Sequence, residues 1–205
     1  MLLSGSGTSL ENLFDEIDAG LSAEVVCVLA SKKSAFGLER AERHSVPAIA
    51  IPRREYPDVH AFNDALHEVL DRYEPDLVCL LGFLSPFELR ERYAGRTLNV
   101  HPALIPAFSG KGFYGHHVHE AVLKSGVKLT GATVHFASDE YDDGPILLQG
   151  TVPVDEDDDV DRLAARVQAL ERRLLPEAIR LIASGRVEIK DGRTRIKPPK
   201  NDSAA

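Results

Sequence analysis

The first half of the chain alternates short apolar runs with amphipathic segments. The apolar runs, rich in Val, Ile and Leu, lie at residues 24–30, 48–51 and 76–81, after a first run of about three residues. Polar and apolar positions of helical period separate them at residues 10–19, 36–44 and 59–73. Continuous apolar runs of this length are typical of strands buried on both faces. The alternation therefore predicts a parallel sheet with right-handed helical crossovers.

The pattern changes after His101. Residues 129–137 and 146–154 predict two strands joined by a turn-rich loop, and hence an antiparallel pair. A long helix is predicted over residues 160–184. The acidic run at residues 155–159 lies where the helix dipole favours carboxylates, so it indicates a helix start rather than a metal site. Asp191-Gly192 predicts the turn of a small terminal hairpin over residues 187–196, and the last few residues are predicted to be disordered.

These patterns predict an α/β fold. We expect a Rossmann-like, mostly parallel, twisted sheet with helices on both faces and an antiparallel C-terminal strand pair. A length of 205 residues without a repeat or a linker predicts one domain, residues 1–205. Within it, residues 1–100 would form one α/β half, residues 101–186 a second half, and residues 187–205 the terminal hairpin and tail.

Composition narrows the possible partners. The 24 basic and 32 acidic residues give a net charge of −8, which argues against nucleic acid or an anionic membrane as the main partner. A phosphorylated metabolite remains possible, because backbone amides bind phosphate whatever the total charge. Cys27 and Cys79 lie inside apolar runs and are predicted to be buried, reduced thiols. No run approaches membrane-spanning length and no signal peptide is recognisable, so we expect a cytoplasmic protein.

The segment Leu98-Asn99-Val100-His101-Pro102 carries the most informative polar residues. It reads as a strand that ends at Pro102, with Asn99 and His101 on the same side, roughly 6–7 Å apart. An amide donor beside a titratable imidazole suits a site that stabilises an oxyanion and moves a proton. Asp142, on a separate loop, is expected to orient the imidazole and raise its pKa. Spacing alone leaves this interpretation and a purely structural pairing equally open.

Two further motifs have more than one interpretation. The Gly/Ser loop at residues 4–9 precedes a predicted helix and is a candidate phosphate cradle, although such a loop alone is more often just a turn. His116, His117 and His119 suggest zinc, but adjacent helical residues point about 100° apart and no Cys or Asp partner is near. We therefore expect no metal site, and expect this loop, with Lys111, to border a substrate.

Five stretches of the chain, between residue 4 and about residue 176, resemble the folate-dependent formyltransferases. They are Ser4-Gly5-Ser6-Gly7-Thr8, Ala35-Phe36-Gly37-Leu38-Glu39-Arg40-Ala41, residues 98–106, residues 134–145, and Ala165-Arg166-Val167-Gln168-Ala169-Leu170-Glu171. The Asn-x-His-Pro motif with its downstream Asp is typical of the whole family. Gln168 and Glu171, with the short length, indicate the branch that acts on glycinamide ribonucleotide.

The resemblance implies a fold and a reaction. The fold would be that of the formyltransferases, with a phosphate-binding half at residues 1–100 and a folate-binding, catalytic half at residues 101–186. The formyl group of 10-formyltetrahydrofolate, a co-substrate, would pass directly to the amine of 5-phosphoribosylglycinamide in purine (IMP) biosynthesis, without a metal. Asn99, His101 and Asp142 would be catalytic.

The resemblance also implies two binding sites. Residues for phosphoribosylglycinamide would be Gly7, Thr8, Ser9, Gln168 and Glu171. Residues for folate would be Leu84, Ser85, Asn99, Ser138, Asp139, Glu140, Tyr141 and Asp142. His135 alternates with Thr133 along a predicted strand and is expected to line the pocket beside His101; it and Lys111 are secondary candidates.

Other functions remain open at this point. The alternatives are a 10-formyltetrahydrofolate hydrolase, another folate-dependent formyltransferase, and a non-catalytic folate- or nucleotide-binding module. The expected partners are small molecules alone, and the chain is expected to be a monomer or a homodimer.

Overall fold

The computed structural model describes residues 1–199, and the last part of the predicted disordered tail, residues 200–205, lies outside them. The strands in the described part are β1 (Leu2–Leu3), β2 (Val28–Ala30), β3 (Ala48–Ala50), β4 (Val78–Leu81), β5 (Thr97–His101), β6 (Leu129–Phe136), β7 (Ile146–Pro153), β8 (Val187–Lys190) and β9 (Arg193–Ile196). The helices are α1 (Thr8–Asp18), α2 (Gly37–Arg43), α3 (Val59–Tyr73), α4 (Arg90–Tyr93), α5 (His116–Ser125) and α6 (Val160–Ala183), with a 3₁₀ turn at Arg53–Glu55.

Seven strands form one sheet in the order β3-β2-β1-β4-β5-β6-β7. Strands β1 to β5 are parallel, whereas β6 runs antiparallel to β5 and β7 antiparallel to β6. β8 and β9 form a separate hairpin around Asp191 and Gly192, both with positive φ, as a tight turn of this kind requires. The predicted fold class is confirmed. The strand order reverses between β1 and β4, and such a reversal leaves a crevice at the carboxyl ends of the strands.

β2 is shorter than predicted. The apolar run over residues 24–30 forms a strand only at Val28–Ala30, the three residues that pair with Ala48–Ala50 of β3, while β1 pairs with the last two of them. Before that point, the amino-terminal ammonium group of Met1 donates a hydrogen bond to the Cys27 carbonyl, at 2.9 Å.

Helix α4 was not predicted, since four residues are too few to show a helical period.

The core lies on both faces of the sheet. Successive strand residues point to opposite faces, so Leu3 packs with α1 and α6 while Leu2 packs with α3 on the other face. Both leucines are fully buried. A third apolar cluster joins β6 and β7 to α5 and α6. Cys27 and Cys79 are buried free thiols, as predicted. Among residues 1–199, none of the helices combines the length and the apolar character needed to cross a bilayer.

A glycine substitution tests the tight pairing of β6 with β7. A Cβ on Gly131 would lie 1.9 Å from the Gly150 carbonyl oxygen, a backbone atom that cannot move aside. We expect Gly131→Ala to lower the free energy of unfolding by about 2–3 kcal/mol in urea denaturation. Gly5→Ala is the control, because nothing lies within 4 Å of a Cβ there. Equal denaturation midpoints for the two variants would contradict this packing.

Candidate active site

A cavity of about 850 Å³ opens at the carboxyl ends of β1, β4 and β5, where the strand order reverses. Its walls come from the loops after β1 and β4, the end of β5, the loops before α5 and β7, and one face of α6. The cavity brings together most of the predicted site residues. Those that line it are Gly7, Thr8, Ser9, Leu84, Ser85, Asn99, His101, Lys111, Tyr141, Asp142, Gln168 and Glu171.

The Gly/Ser loop forms one end of the cavity. Gly7 caps α1 in a left-handed conformation (φ 71°), and no side chain among residues 1–199 caps the helix. The amides of the first turn, at Thr8 and Ser9, therefore lie at the cavity wall without a side-chain partner. A Cβ on Gly7 would lie 2.6 Å from the Cα of Gly37, so glycine is required where the loop meets α2. This geometry suits an anion.

Helix α6 forms the facing wall with Gln168 and Glu171, which lie one turn apart. Glu171 is partly exposed as a residue, but its carboxyl group is enclosed by protein. This burial raises the pKa of Glu171 to about 7, against the opposing effect of Arg172. Arg172 also lines the cavity and was missed in the sequence, where its position beside Glu171 was the available signal.

Asp142 connects the two polar residues of β5. Its Oδ1 accepts a hydrogen bond from the Asn99 amide at 3.3 Å, and its Oδ2 lies 3.4 Å from His101 Nδ1. The Gly110 N–H donates to the same Oδ2 at 2.9 Å. Asn99 and His101 therefore face the same side, as strand alternation predicted. Asp142 itself has a positive φ of 58°, which Asp tolerates better than most residues.

His135 lies behind Asn99, directly opposite it in the β5–β6 ladder. His135 is buried and is not among the residues that line the cavity, so in this structure it lies behind Asn99 rather than at the pocket surface. His135 Nδ1 lies 3.0 Å from the Phe136 carbonyl, which can only accept, so this nitrogen carries the hydrogen. The other ring nitrogen, Nε2, then accepts from the Asn99 amide at 3.0 Å. Both amide hydrogens of Asn99 are thus engaged, by His135 and Asp142.

Burial determines the protonation of His101. Its Nε2 donates to the Phe108 carbonyl at 2.8 Å, which leaves Nδ1 as the basic atom of the neutral ring, beside Asp142. Burial lowers the pKa of His101, while Asp142 and the Phe108 carbonyl raise it by less and His135 lowers it further. Asp142 thus acts on this pKa in the predicted direction, and burial of the imidazole is the larger effect.

The carboxyl group of Asp142 stays ionised beside this neutral imidazole. Burial alone would raise the pKa of Asp142. The His135 ring 3.7 Å away and His101, each in its protonated form, and the Gly110 amide together outweigh burial and hold the pKa below its usual range. At neutral pH the cluster therefore combines an aspartate with a neutral imidazole.

An apolar rim borders the mouth of the cavity. Leu84 and Tyr141 are 56% and 62% exposed, unusually high values for large apolar side chains. Leu84 is held by a hydrogen bond from its N–H to Ser4 Oγ, at 2.9 Å. Three predicted folate residues on the Tyr141 loop do not line the cavity: Ser138, Asp139 and Glu140. Aromatic residues that the sequence did not single out, Phe83, Phe113 and Tyr114, do line it.

The three neighbouring histidines diverge. His116 lies 3.7 Å from Asp161, His117 lies 3.4 Å from Glu120, and His119 is buried in the cavity wall. The sequence predicted that this segment borders a substrate, and in the structure His119 lies beside the candidate site.

Comparison with known proteins relates this arrangement to one family. The family described as Formyl transferase matches residues 1–179. The phosphoribosylglycinamide formyltransferase of Escherichia coli (strain K12) is 38% identical over 200 residues, covering 93% of this chain and 89% of that protein. The trifunctional purine biosynthetic protein adenosine-3 of Bos taurus is 39% identical over 194 residues, which cover 92% of this chain. The chain spans only 18% of the length of that relative.

Solved structures agree with the sequence comparison. The glycinamide ribonucleotide transformylase 1 from Symbiobacterium toebii superimposes with a TM-score of 0.90 at 42% identity, over 96% of this chain and 92% of that one. A formyltetrahydrofolate deformylase from Pseudomonas syringae superimposes with a TM-score of 0.86 at 22% identity, over 96% of this chain and 64% of that one. The second likeness shows the fold alone.

The electrostatics of the Asp142–His101 pair can be measured directly. We expect NMR titration of the His101 ring to give a pKa below its usual value, because burial dominates. In Asp142→Asn the pKa should fall further, since the carboxylate that favours the imidazolium is gone. Asp143→Asn, an exposed neighbour on the same loop, is the control. An unchanged His101 pKa in Asp142→Asn would contradict the pairing.

Glu171 should make stability depend on pH. Its folded pKa of about 7 lies above the ordinary 4.5, so the folded state binds the proton more tightly and stability falls as pH rises between these values. We expect Glu171→Gln to be more stable than wild type by about 3 kcal/mol at pH 8, and by less than about 1 kcal/mol near pH 4.5. Glu177→Gln, on the exposed side of the same helix, is the control. A pH-independent difference in urea denaturation would rule out a buried carboxyl at this position.

Proposed function

The chain belongs to the formyl transferase family, whose match covers residues 1–179, and on this premise we propose that it transfers a formyl group from 10-formyltetrahydrofolate to the amine of 5-phosphoribosylglycinamide. The family resemblance indicated by the sequence motifs is confirmed. Relatives named phosphoribosylglycinamide formyltransferase support the choice of acceptor. The reaction would be a step of de novo purine (IMP) biosynthesis.

One observation carries the proposal. A single cavity holds the uncapped amides of α1, the Gln168 and Glu171 wall, the Asn99–His101–Asp142 cluster and the apolar rim at Leu84 and Tyr141. These four parts correspond to a phosphate, a ribose, a reacting centre and an apolar pterin. A site that binds only a phosphate ester would not require the apolar rim at Leu84 and Tyr141. A site that binds only folate would not require the uncapped amides of α1.

The transfer needs no covalent intermediate with the protein. The amine nitrogen attacks the formyl carbon, and the carbonyl electron pair moves onto oxygen. Collapse of this tetrahedral intermediate breaks the bond between the formyl carbon and N10 of the folate. The amine loses one proton and N10 gains one, so the net requirement is a group that receives a proton and then returns it.

His101 is the group placed to move that proton. In its neutral form Nδ1 is unprotonated, because the hydrogen lies on Nε2 toward the Phe108 carbonyl. Nδ1 accepts the amine proton, and the Asp142 carboxylate 3.4 Å away stabilises the imidazolium that forms. The same nitrogen then donates the proton to N10. Because burial favours the neutral ring, His101 begins the reaction as a base.

Asn99 is placed to stabilise the oxyanion. One amide hydrogen is held by His135 at 3.0 Å, and the other makes the longer contact of 3.3 Å with Asp142. As negative charge develops on the substrate oxygen, this oxygen replaces Asp142 as the acceptor of the amide hydrogen that makes the longer contact. His135 keeps the amide group turned so that this hydrogen, and not the Oδ1 atom, is offered. Loss of one such donor typically slows the reaction by about 10²–10³.

A formyl-transfer assay tests the proposal. Wild-type protein is mixed with 10-formyltetrahydrofolate in the presence and absence of 5-phosphoribosylglycinamide, and folate product and formate are both followed. We expect product only with the amine. Asn99→Ala, His101→Ala and Asp142→Ala should each lower kcat by about 10²–10³ or more. His117→Ala, an exposed histidine outside the cavity lining, should keep wild-type activity.

Each other result has a defined meaning. Formate released without the amine would assign the chain to the hydrolases. Binding of the folate without turnover would favour a non-catalytic module. Near wild-type rates in Asn99→Ala and His101→Ala would refute the roles given to this cluster.

A further inference from the structure

A side chain from outside the cavity holds the Gly/Ser loop. Arg40, on α2, donates from Nε to the Ser6 carbonyl at 3.0 Å, although the two residues are 34 positions apart. One residue earlier in the loop, the Gly5 carbonyl accepts from the Gly37 N–H at 3.2 Å, also from α2. Two consecutive carbonyls of the loop are therefore turned toward α2.

This orientation fixes where the loop amides point. In a planar trans peptide the C=O and the following N–H point in opposite directions. With the Gly5 and Ser6 carbonyls turned toward α2, the N–H groups of Ser6 and Gly7 are turned away from it. Ser6 and Gly7 both line the cavity. Their amides thus add to those of the first turn of α1, and an anion there meets a run of converging N–H groups.

Arg40 is engaged by protein contacts. Its Nη1 donates to Glu11 Oε2 at 2.6 Å, its guanidinium lies 5.0 Å from the centre of the Phe36 ring, and its side chain is only 21% exposed. The hydrogen bond from Arg40 also holds the pKa of Glu11 below its usual range. Arg40 is absent from the cavity lining, and its charge is balanced by Glu11. It is therefore not placed to bind an anion directly.

We propose that Arg40 is a positioning residue for the phosphate group of the substrate: it binds no phosphate itself, but turns the Ser6–Gly7 peptide so that its N–H faces the cavity. This inference rests on the proposed function, which supplies the phosphate ester. Without Arg40, the Ser6–Gly7 peptide is free to rotate and present its carbonyl oxygen, a partial negative charge, to the phosphate.

A kinetic comparison separates positioning from a general structural role. For Arg40→Gln we expect KM for 5-phosphoribosylglycinamide to rise about tenfold, the effect typical of losing a hydrogen bond made by a charged group. The kcat and the KM for 10-formyltetrahydrofolate should stay within about twofold. The same acceptor without its phosphate, the glycinamide nucleoside, should react equally with wild type and variant. Equal losses with both acceptors would overturn the proposal, because a merely structural defect affects both.

Three further variants define the role of the guanidinium. Arg43→Gln is the matched control, since Arg43 lies on the same helix, 5.2 Å from the same Phe36 ring, and pairs with Glu39 instead. It should behave as wild type. Arg40→Lys keeps the charge but cannot reach Ser6 and Glu11 together, so KM should still rise several-fold. Glu11→Gln removes the ion pair and leaves the Ser6 contact, so KM should change less than about twofold; a tenfold rise would overturn the proposal.

Titration with inorganic phosphate makes the test independent of turnover. In ¹⁵N-labelled wild-type protein we expect saturable shifts of the Ser6 and Gly7 amide resonances, and Arg40→Gln should need about tenfold more phosphate. Equal phosphate affinity in the two proteins would overturn the role of Arg40 and leave formyl transfer intact. Wild type that binds phosphate at these amides but transfers no formyl group would overturn the proposed function and still support Arg40. No response at either amide in wild type would overturn the inference.

Discussion

The arrangement of this molecule depends on the pairing of its central strand β1, which has only two residues. Leu2 and Leu3 form parallel ladders with β2 on one side and β4 on the other, and each is fully buried in a different core layer. The strand order reverses at the β1–β4 pair, so the loops after these two strands separate and leave a crevice between them. The Gly/Ser loop, the Leu84 loop and the end of β5 all border that crevice, which is why residues distant in sequence share one cavity.

Inside the cavity, the hydrogen bonds made by the two histidine rings restrict the chemistry more than the distances between the side chains do. The Phe136 carbonyl fixes the hydrogen of His135 on Nδ1, and this determines which way the Asn99 amide faces. The Phe108 carbonyl likewise fixes the hydrogen of His101 on Nε2 and leaves Nδ1 to take a proton. Two backbone carbonyls, which carry no sequence signature, thus set the donor and acceptor pattern of the reacting centre.

Three parts of the site differ in how charge is balanced or suppressed. The chain carries a net charge of −8, yet the end proposed to bind phosphate offers backbone amides and an uncapped helix, and Arg40 behind that loop is neutralised by Glu11. At the reacting centre, burial lowers the pKa of His101 although an aspartate lies beside it. On the wall of α6, burial raises the pKa of Glu171 to about 7. In both cases the loss of solvation outweighs the neighbouring charge.

The sequence alone determined the elements and the faces of the strands, because both follow from local periodicity. The bounds of α3 match the predicted residues 59–73, the β6–β7 and β8–β9 pairs form where turn signals separate apolar runs, and alternation placed Asn99 and His101 on one side. Only the tertiary structure decided that β2 begins where it pairs with β3, that His135 lies behind Asn99, that the pKa of His101 falls, and that Arg40 holds the Ser6 carbonyl. These features depend on burial and on hydrogen bonds between segments far apart in the chain, and no local pattern encodes the neighbours that a folded backbone brings together.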